Sequence, residues 1–216
     1  MIPKRKNLSR LVIFRTKSRT NQIINKFYSK AFCYKAIFSK VKFINVNFKG
    51  ATLTNCSFKN AFFFNVEFLG TNLKNSNFSG ATFKNCLFSA TLLKKVNFKG
   101  AKFENCTFVS VNLNVAKNLC LTDNNSILAV HKLIDLDNEL EKLFNQYKFH
   151  PKIQNSRVLY LKGGKLNSLT INMLISNLGK EKCKQGLVNL DKYLSFRIIT
   201  SYQLLSVIDK YSNYKV

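Results

Sequence analysis

The sequence predicts a β-solenoid, in which the chain winds through stacked coils, with a basic N-terminal arm before it and a helical domain after it. Two observations support the solenoid: from residue 36 to 113 large apolar residues recur every five positions, and the leucines among them recur every twenty. A third observation is that both periods are lost beyond Leu113, which indicates a different structure after the solenoid. A period of five fits neither a helix at 3.6 residues nor a strand at 2.0, so a coil built from short repeats is expected.

The five-residue repeat has two columns. Its central positions all hold a large apolar residue: Phe38, Phe43, Phe48, Leu53, Phe58, Phe63, Phe68, Leu73, Phe78, Phe83, Phe88, Leu93, Phe98, Phe103, Phe108 and Leu113. Two residues before each stands a small or β-branched residue: Ala36, Val41, Val46, Ala51, Cys56, Ala61, Val66, Thr71, Ser76, Ala81, Cys86, Thr91, Val96, Ala101, Cys106 and Val111. We expect both columns to point inward.

A longer period of twenty residues predicts the shape of the coil. Leucine occupies the central position only at 53, 73, 93 and 113, so the chain returns to the same side after four repeats. A second column with this spacing consists of Asn45, Asn65, Asn85 and Asn105. Stacked asparagines can bond to one another, and asparagine tolerates the left-handed backbone of tight turns. The sequence therefore predicts four coils of four sides, with leucine on one side and phenylalanine on three.

The segment from about residue 36 to 115 resembles the pentapeptide-repeat family, whose pattern is a small residue, a polar residue, Leu or Phe, and two variable residues. Residues 51–55 (Ala-Thr-Leu-Thr-Asn) and 81–85 (Ala-Thr-Phe-Lys-Asn) match it well. The resemblance implies a right-handed quadrilateral β-helix. One departure is the residue before the central position, usually Asp or Asn in the family and here often Phe62, Leu87, Leu92 or Lys102.

The charge is strongly basic and unevenly distributed. The chain has 35 Lys and Arg against 10 Asp and Glu. Residues 1–118 have a net charge of +19 (21 basic, 2 acidic), and residues 119–216 have +6 (14 basic, 8 acidic). Such a balance indicates a polyanionic partner. The best-known members of the family shield topoisomerases by imitating DNA with an acidic surface, and this sequence lacks the charge for that role.

Lysines are expected on the outside of the two sides that contain the leucine column and Phe38, Phe58, Phe78 and Phe98. We predict a nucleic-acid interface from these lysines together with the N-terminal basic residues: Lys4, Arg5, Lys6, Arg10, Arg15, Lys17, Arg19, Lys26, Lys30, Lys59, Lys74, Lys94, Lys95 and Lys99. The alternative is an ordinary solvated surface. The two other sides have outward apolar residues, which predict a protein interface or a surface covered by flanking segments: Ile44, Phe62, Phe64, Leu69 and Leu87.

The flanks divide the chain into a basic arm and cap (1–35), the solenoid (36–118) and a helical domain (119–216). The arm is either an organelle targeting segment or a retained polyanion-binding arm, and we expect retention. In the C-terminal domain the spacing of apolar residues predicts a helix over 122–149, capped by residues 122–126 and ended by His150-Pro151. A short strand at 157–161, a turn at 162–165 and helices at 167–178, 181–190 and 198–211 follow.

Catalytic chemistry is not expected. His131 and His150 have no cysteine or acid at a motif spacing, and Gly163-Gly164-Lys165 lacks the full phosphate-loop pattern. Cys86 and Cys106 should stack inside the solenoid as reduced thiols, and the sequence contains no C-x-x-C pair that would suggest zinc. We therefore predict a non-enzyme without metal, cofactor, small-molecule substrate or transmembrane segment, in a reducing intracellular compartment, with an organelle matrix slightly favoured over the cytoplasm.

The favoured function is a structural scaffold that binds RNA, as a peripheral subunit of a ribosome-like and possibly organellar ribonucleoprotein that also contacts neighbouring proteins. The alternative is a protein-interaction adaptor or effector that uses the apolar residues of the solenoid, with the basic arm as a targeting or membrane-binding segment.

Overall fold

The structure is a computed structural model of the 216-residue chain, and it describes residues 21–128 and 135–214. The chain forms two compact units, Met1–Ala129 and Val130–Val216. The first is a parallel β-solenoid and the second is helical, as the sequence predicts. The first unit includes residues 21–35 and 119–128, which the sequence assigns to the arm and to the C-terminal domain.

The solenoid is built from short parallel strands: β1 (Gln22–Phe27), β2 (Phe32–Tyr34), β3 (Lys42–Asn47), β4 (Thr52–Thr54), β5 (Phe62–Phe64), β6 (Glu67–Leu69), β7 (Thr82–Lys84), β8 (Leu87–Ser89), β9 (Lys102–Glu104), β10 (Thr107–Val109) and β11 (Ser126–Leu128). Residues twenty apart are partners, since Phe63 lies opposite both Phe43 and Phe83. This register confirms the predicted return of the chain after four repeats.

The coil begins one turn earlier than the sequence predicts. β1 pairs with β3, so that Ile23 lies opposite Phe43, and β2 pairs with β4, so that Cys33 lies opposite Leu53. The solenoid therefore has about five turns: the predicted coils are present, and one more precedes them. The extra turn was missed because its central positions hold Ile23, Tyr28 and Cys33, which break the Phe/Leu column, although the backbone pairing continues without interruption.

Phenylalanine rings stack in columns through the core. On one side the centroids of Phe43, Phe63, Phe83 and Phe103 lie 4.9, 4.7 and 4.7 Å apart, with interplanar angles of 3°, 7° and 3°. The small-residue column also points inward, and its hydroxyls donate to carbonyl oxygens 23 residues earlier. Ser76 Oγ bonds the carbonyl of Leu53 at 2.8 Å, and Thr71 Oγ1 bonds that of Phe48 at 2.9 Å. Burial of these polar groups is compensated in this way.

Asparagines with left-handed backbone form a corner of the coil. Asn45, Asn65, Asn85 and Asn105 have φ between 49° and 53°. The Nδ2 of Asn45 bonds the Oδ1 of Asn25 at 2.9 Å, and Asn105 bonds Asn85 at 2.8 Å. These bonds confirm the predicted stacking of asparagines.

The last strand replaces the start of a predicted helix. β11 pairs with β10, with Phe108 opposite Ile127, so the offset is nineteen instead of twenty. Ser126 N–H donates to the carbonyl of Cys106, and Ser110 N–H donates to that of Leu128, both at 2.9 Å. The predicted helix over 122–149 is therefore wrong at its start, because these residues satisfy their backbone on the last coil. Residues 129–134 lie outside the described residues.

The second unit consists of α1 (Asn138–Gln146), α2 (Ser168–Leu178), α3 (Lys180–Tyr193) and α4 (Ser201–Ser212), with a 3₁₀ turn at Gln154–Ser156. The last three agree with the predicted helices within a few residues, and α2 ends at Gly179, which has φ of 76°. The predicted strand at 157–161 does not form: Arg157 is left-handed, and Tyr160 makes only an isolated bridge with Leu166. The turn at 162–165 is present.

Candidate functional site

The solenoid has four outer sides, which we number by the inward column behind each. Side 1 lies over Phe43, Phe63, Phe83 and Phe103, and side 2 over Phe48, Phe68, Phe88 and Phe108. Side 3 lies over Leu53, Leu73 and Leu93, and side 4 over Phe38, Phe58, Phe78 and Phe98. Residues directly before and after each central position point outward, because strand side chains alternate between faces.

Sides 3 and 4, which are adjacent, carry only basic charge. Lys59, Lys74, Lys94, Lys95 and Lys99 are all exposed there, as the sequence predicts. Three lysines outside that prediction, Lys35, Lys40 and Lys117, are exposed on the same two sides. The acids of the described solenoid residues are Glu67 on side 2, Glu104 on side 1 and Asp123 beyond the last full coil. We call sides 3 and 4 the basic sides.

The lysines of the basic sides have no ion-pair partner among the described residues. Lys74 and Lys94 occupy the same column on consecutive coils, about 4.8 Å apart along the stack. Like charges at such positions repel each other. Side 1 differs, since Lys84 Nζ lies 2.5 Å from Glu104 Oε1 one coil away. The basic sides therefore have a concentrated positive potential that an external anion would relieve.

Two of these lysines have their backbone N–H held by an asparagine that stands directly before the central position. The Oδ1 of Asn72 accepts a hydrogen bond from the N–H of Lys74 at 3.1 Å. The Oδ1 of Asn97 accepts one from the N–H of Lys99, also at 3.1 Å. These local bonds give the backbone N–H of each lysine a partner at the corner of the coil. Each lysine side chain therefore extends into solvent from an ordered backbone.

Side 2 differs from the other sides in the burial of one outward row. Its outward row, Asn47, Glu67, Leu87 and Thr107, is buried, and the Nδ2 of Asn47 bonds the Glu67 carboxylate at 2.5 Å. Leu87 has no exposed area, so it does not offer a surface to a partner, and its prediction as an interface residue is corrected. Leu69, on the same side, is half-buried.

Side 1 has a small apolar strip. Ile44, Phe62 and Phe64 are half-buried there. Ile44 lies opposite Phe64 on the next coil, so the three side chains are contiguous. The structure thus groups three of the five predicted interface residues on one side and places the other two on side 2.

The N-terminal part of the predicted nucleic-acid interface is only partly described. Lys26 and Lys30 are exposed in the first coil. Lys4, Arg5, Lys6, Arg10, Arg15, Lys17 and Arg19 lie outside the described residues, as does His131.

The reactive side chains of the described residues show no catalytic grouping. No three of their His, Cys, Asp and Glu residues are arranged to hold a metal ion. The cysteines are free thiols, and all but Cys120 are buried. Burial raises the pKa of Cys33 and of Cys183 to about 12, which keeps these thiols neutral and unreactive. The Nε2 of His150 pairs with Asp191 at 3.2 Å at the surface of the helical unit.

None of the helices in the described ranges is both long and apolar enough to span a membrane. Within the described residues, the basic sides are the most strongly charged surface of the solenoid.

The chain is similar over part of its length to several solved pentapeptide repeat proteins. A pentapeptide repeat protein from Nostoc is 18% identical, with a TM-score of 0.42, over 48% of this chain and 84% of that chain. HetL, a pentapeptide repeat protein involved in heterocyst differentiation regulation in Nostoc, is 15% identical, with a TM-score of 0.37, over 49% and 58%. The plasmid-mediated fluoroquinolone resistance protein QnrB1, in trypsin-treated form, is 14% identical, with a TM-score of 0.27, over 48% and 84%. No curated protein matches the chain.

The family model for the pentapeptide repeat region matches residues 36–114. Proteins of this family are generally non-enzymatic structural proteins. The match covers the coils whose register, inward columns and corner asparagines are described above. Residues 36–114 are therefore a pentapeptide repeat region, continued at both ends by coils that the repeat pattern does not reveal.

Proposed function

We propose that the protein is a non-enzymatic scaffold that binds RNA through the basic sides of its solenoid. The observation that supports this most directly is the set of eight exposed lysines, with no acid, on two adjacent sides. In this proposal the chain is a peripheral subunit of a ribosome-like ribonucleoprotein in the cytoplasm or an organelle matrix. The six free cysteines favour a reducing compartment of this kind.

RNA is favoured because lysines in rows suit a phosphate backbone. Each ammonium group that contacts a phosphate releases condensed counterions, which supplies affinity without reading sequence. Lysines fixed to a rigid coil also lose less freedom on binding than lysines of an unfolded segment. A protein that imitates DNA needs an acidic surface, whereas this solenoid is basic. Glu67, one of its few acids, is buried and adds no negative charge to the surface.

A salt titration with charge-matched variants tests this proposal. Binding of a fluorescent 20-nucleotide RNA is measured by anisotropy at several salt concentrations. We expect log affinity to fall with log salt, with a slope of roughly −0.7 for each phosphate contact. The triple variant K74E/K94E/K99E should bind at least about tenfold more weakly than the wild type.

The control variant is K42E/K102E/K142E, which makes the same change in net charge at exposed lysines that do not belong to the basic sides. It should lose much less affinity than the first variant. Equal losses would show that only net charge matters, and binding insensitive to salt would contradict the proposal. Removal of residues 1–20, which leaves β1 intact, measures the contribution of the basic arm separately.

A second candidate function, a protein-interaction adaptor, is supported by the contiguous strip of Ile44, Phe62 and Phe64 on side 1. The double variant F62D/F64D should abolish capture of a protein partner and leave RNA affinity unchanged. Loss of RNA binding in this variant, with the fold intact, would instead place the RNA on side 1.

A further inference from the structure

Two exposed aromatic residues lie within the basic sides, on the first coil. Phe32 and Tyr34 are 43% and 50% exposed, whereas the residue between them, Cys33, is buried. They point outward from the same strand, β2, and belong to side 3. Exposure of two large rings on one three-residue strand needs a reason, because each ring leaves apolar area in water.

The surroundings of these rings differ from those of the core phenylalanines. On the next coil Phe32 lies opposite Thr52 and Tyr34 lies opposite Thr54, so each ring has a small neighbour on that side. Neither ring stacks on another ring among the described residues. The later coils place Thr, Asn, Leu or Lys in these two columns, so the aromatic pair belongs to the first coil alone. Part of each ring surface is therefore open to a planar ligand.

Positive charge surrounds the pair. Lys35 Nζ lies 5.3 Å from the centroid of the Tyr34 ring, Lys30 is exposed at the corner before β2, and Lys40 is exposed at the far corner of side 4. The flanking cations would contact phosphates while the rings contact bases. Aromatic rings beside a basic surface are the usual arrangement in proteins that bind single-stranded nucleic acid.

The spacing also fits unpaired bases. Residues two apart on a strand are separated by roughly 6.6 Å, which is about twice the rise of stacked bases. The bases of a duplex are stacked on one another and do not reach such rings, whereas the bases of a single strand do.

We propose that Phe32 and Tyr34 form a stacking platform for unpaired bases, and that the basic sides therefore bind single-stranded RNA in preference to duplex RNA. This inference rests on the proposed function and adds the class of RNA and the residues that select it.

The test compares two ligands of equal charge, a 15-nucleotide oligouridylate and an 8-base-pair RNA duplex, by fluorescence anisotropy at one salt concentration. The double variant F32S/Y34S should weaken oligouridylate binding by about tenfold or more and change duplex binding by no more than about twofold. The matched control is Leu92→Ser, which removes an apolar side chain that is 57% exposed on the same side, three coils away. It should leave both affinities unchanged.

Circular dichroism and thermal melting establish that each variant is folded. Equal weakening of both ligands by F32S/Y34S, or no weakening of either, would overturn the stacking platform and leave RNA binding by the lysines intact. If the wild-type protein binds neither ligand, the proposed function and this inference both fail. Stronger binding to the duplex than to oligouridylate would overturn the preference for single strands.

Discussion

The Nδ2 of Asn65 donates a hydrogen bond to the Oδ1 of Asn45, twenty residues earlier and one coil away, across 3.0 Å. Asn45 in turn donates to Asn25, so it lies in the middle of a ladder that joins three coils. The ladder stops at Asn65, whose own Oδ1 is buried with no partner among the described residues. Both the left-handed backbone and the side-chain bonds at this corner depend on asparagine.

Substitution of Asn45 separates these two contributions. Asn45→Ala loses both ladder bonds and replaces an asparagine, which tolerates left-handed backbone, by an alanine at φ of 52°, so it should lower the free energy of unfolding by about 2 kcal/mol. Asn45→Gly loses the bonds but tolerates the backbone, and about 1 kcal/mol is expected. Denaturant unfolding measures both values. Equal costs for the two variants would show that backbone strain contributes nothing.

The phenylalanine columns should dominate solenoid stability. Phe63 lies at the centre of one column, fully buried between rings 4.9 and 4.7 Å away. Phe63→Ala should destabilise by about 3–5 kcal/mol. Phe63→Leu, which introduces the residue used on side 3, should cost about 1.5 kcal/mol or less. The two variants are compared by denaturant unfolding, and an alanine cost below the leucine cost would contradict a packed core.

Thiol reactivity reports on burial in both units. Cys120 is exposed, while Cys33, Cys56, Cys86, Cys106 and Cys183 are buried. A disulfide reagent at pH 8 should therefore titrate one thiol in the native protein and all six after unfolding. Rapid reaction of more than one native thiol would show that one of the two units opens readily.

Alkaline pH should weaken the helical unit through Cys183. Burial raises the pKa of this thiol from its ordinary value of 9.0 to about 12. The neutral thiol is therefore favoured in the folded state, and its contribution is complete below pH 9 and is lost as the pH rises toward 12. Unfolding measured between pH 8 and 11 should show a steeper loss of stability in the wild type than in Cys183→Ala. Parallel curves would mean that the thiol is not buried.

The close approach of α3 and α4 depends on Gly186. A Cβ added there would lie 2.3 Å from the carbonyl oxygen of Ile208 and 2.6 Å from its Cγ2. Gly186→Ala should therefore destabilise the helical unit by about 1–3 kcal/mol, although alanine is the better helix former. Gln185→Ala, at an exposed neighbouring position of α3, should be close to neutral in thermal melting. A stabilised Gly186→Ala variant would contradict the observed packing.

The repeat could be predicted from sequence wherever the type of residue depends directly on its position in the coil. The Phe/Leu column, the twenty-residue return and the corner asparagines all arise from inward packing or tight turns, which restrict residue type. The first coil and β11 could not be predicted, because they extend the stack mainly through backbone hydrogen bonds, which most sequences can make. Ile23, Tyr28 and Cys33 fill the core of the first coil without repeating the Phe/Leu signal.

The candidate site also has features that the sequence predicts and features that it does not. Exposure of Lys59, Lys74 and Lys94 follows from their place in the repeat, so sequence was sufficient. Burial of Leu87 could not be predicted, because the local five-residue period places this residue at an outward position and contains no further information about its exposure. The pair Phe32 and Tyr34 was not recognised as a unit because its place on side 3 requires the first coil to be known.

Lysine footprinting tests the central claim, that RNA lies on the basic sides, most directly. The protein is acetylated briefly with and without a saturating single-stranded RNA, and the modification of each lysine is measured by mass spectrometry. We predict protection of Lys59, Lys74, Lys94, Lys95 and Lys99, and unchanged modification of Lys42 and Lys102 on side 1. Uniform protection of all lysines, or protection confined to side 1, would contradict the account.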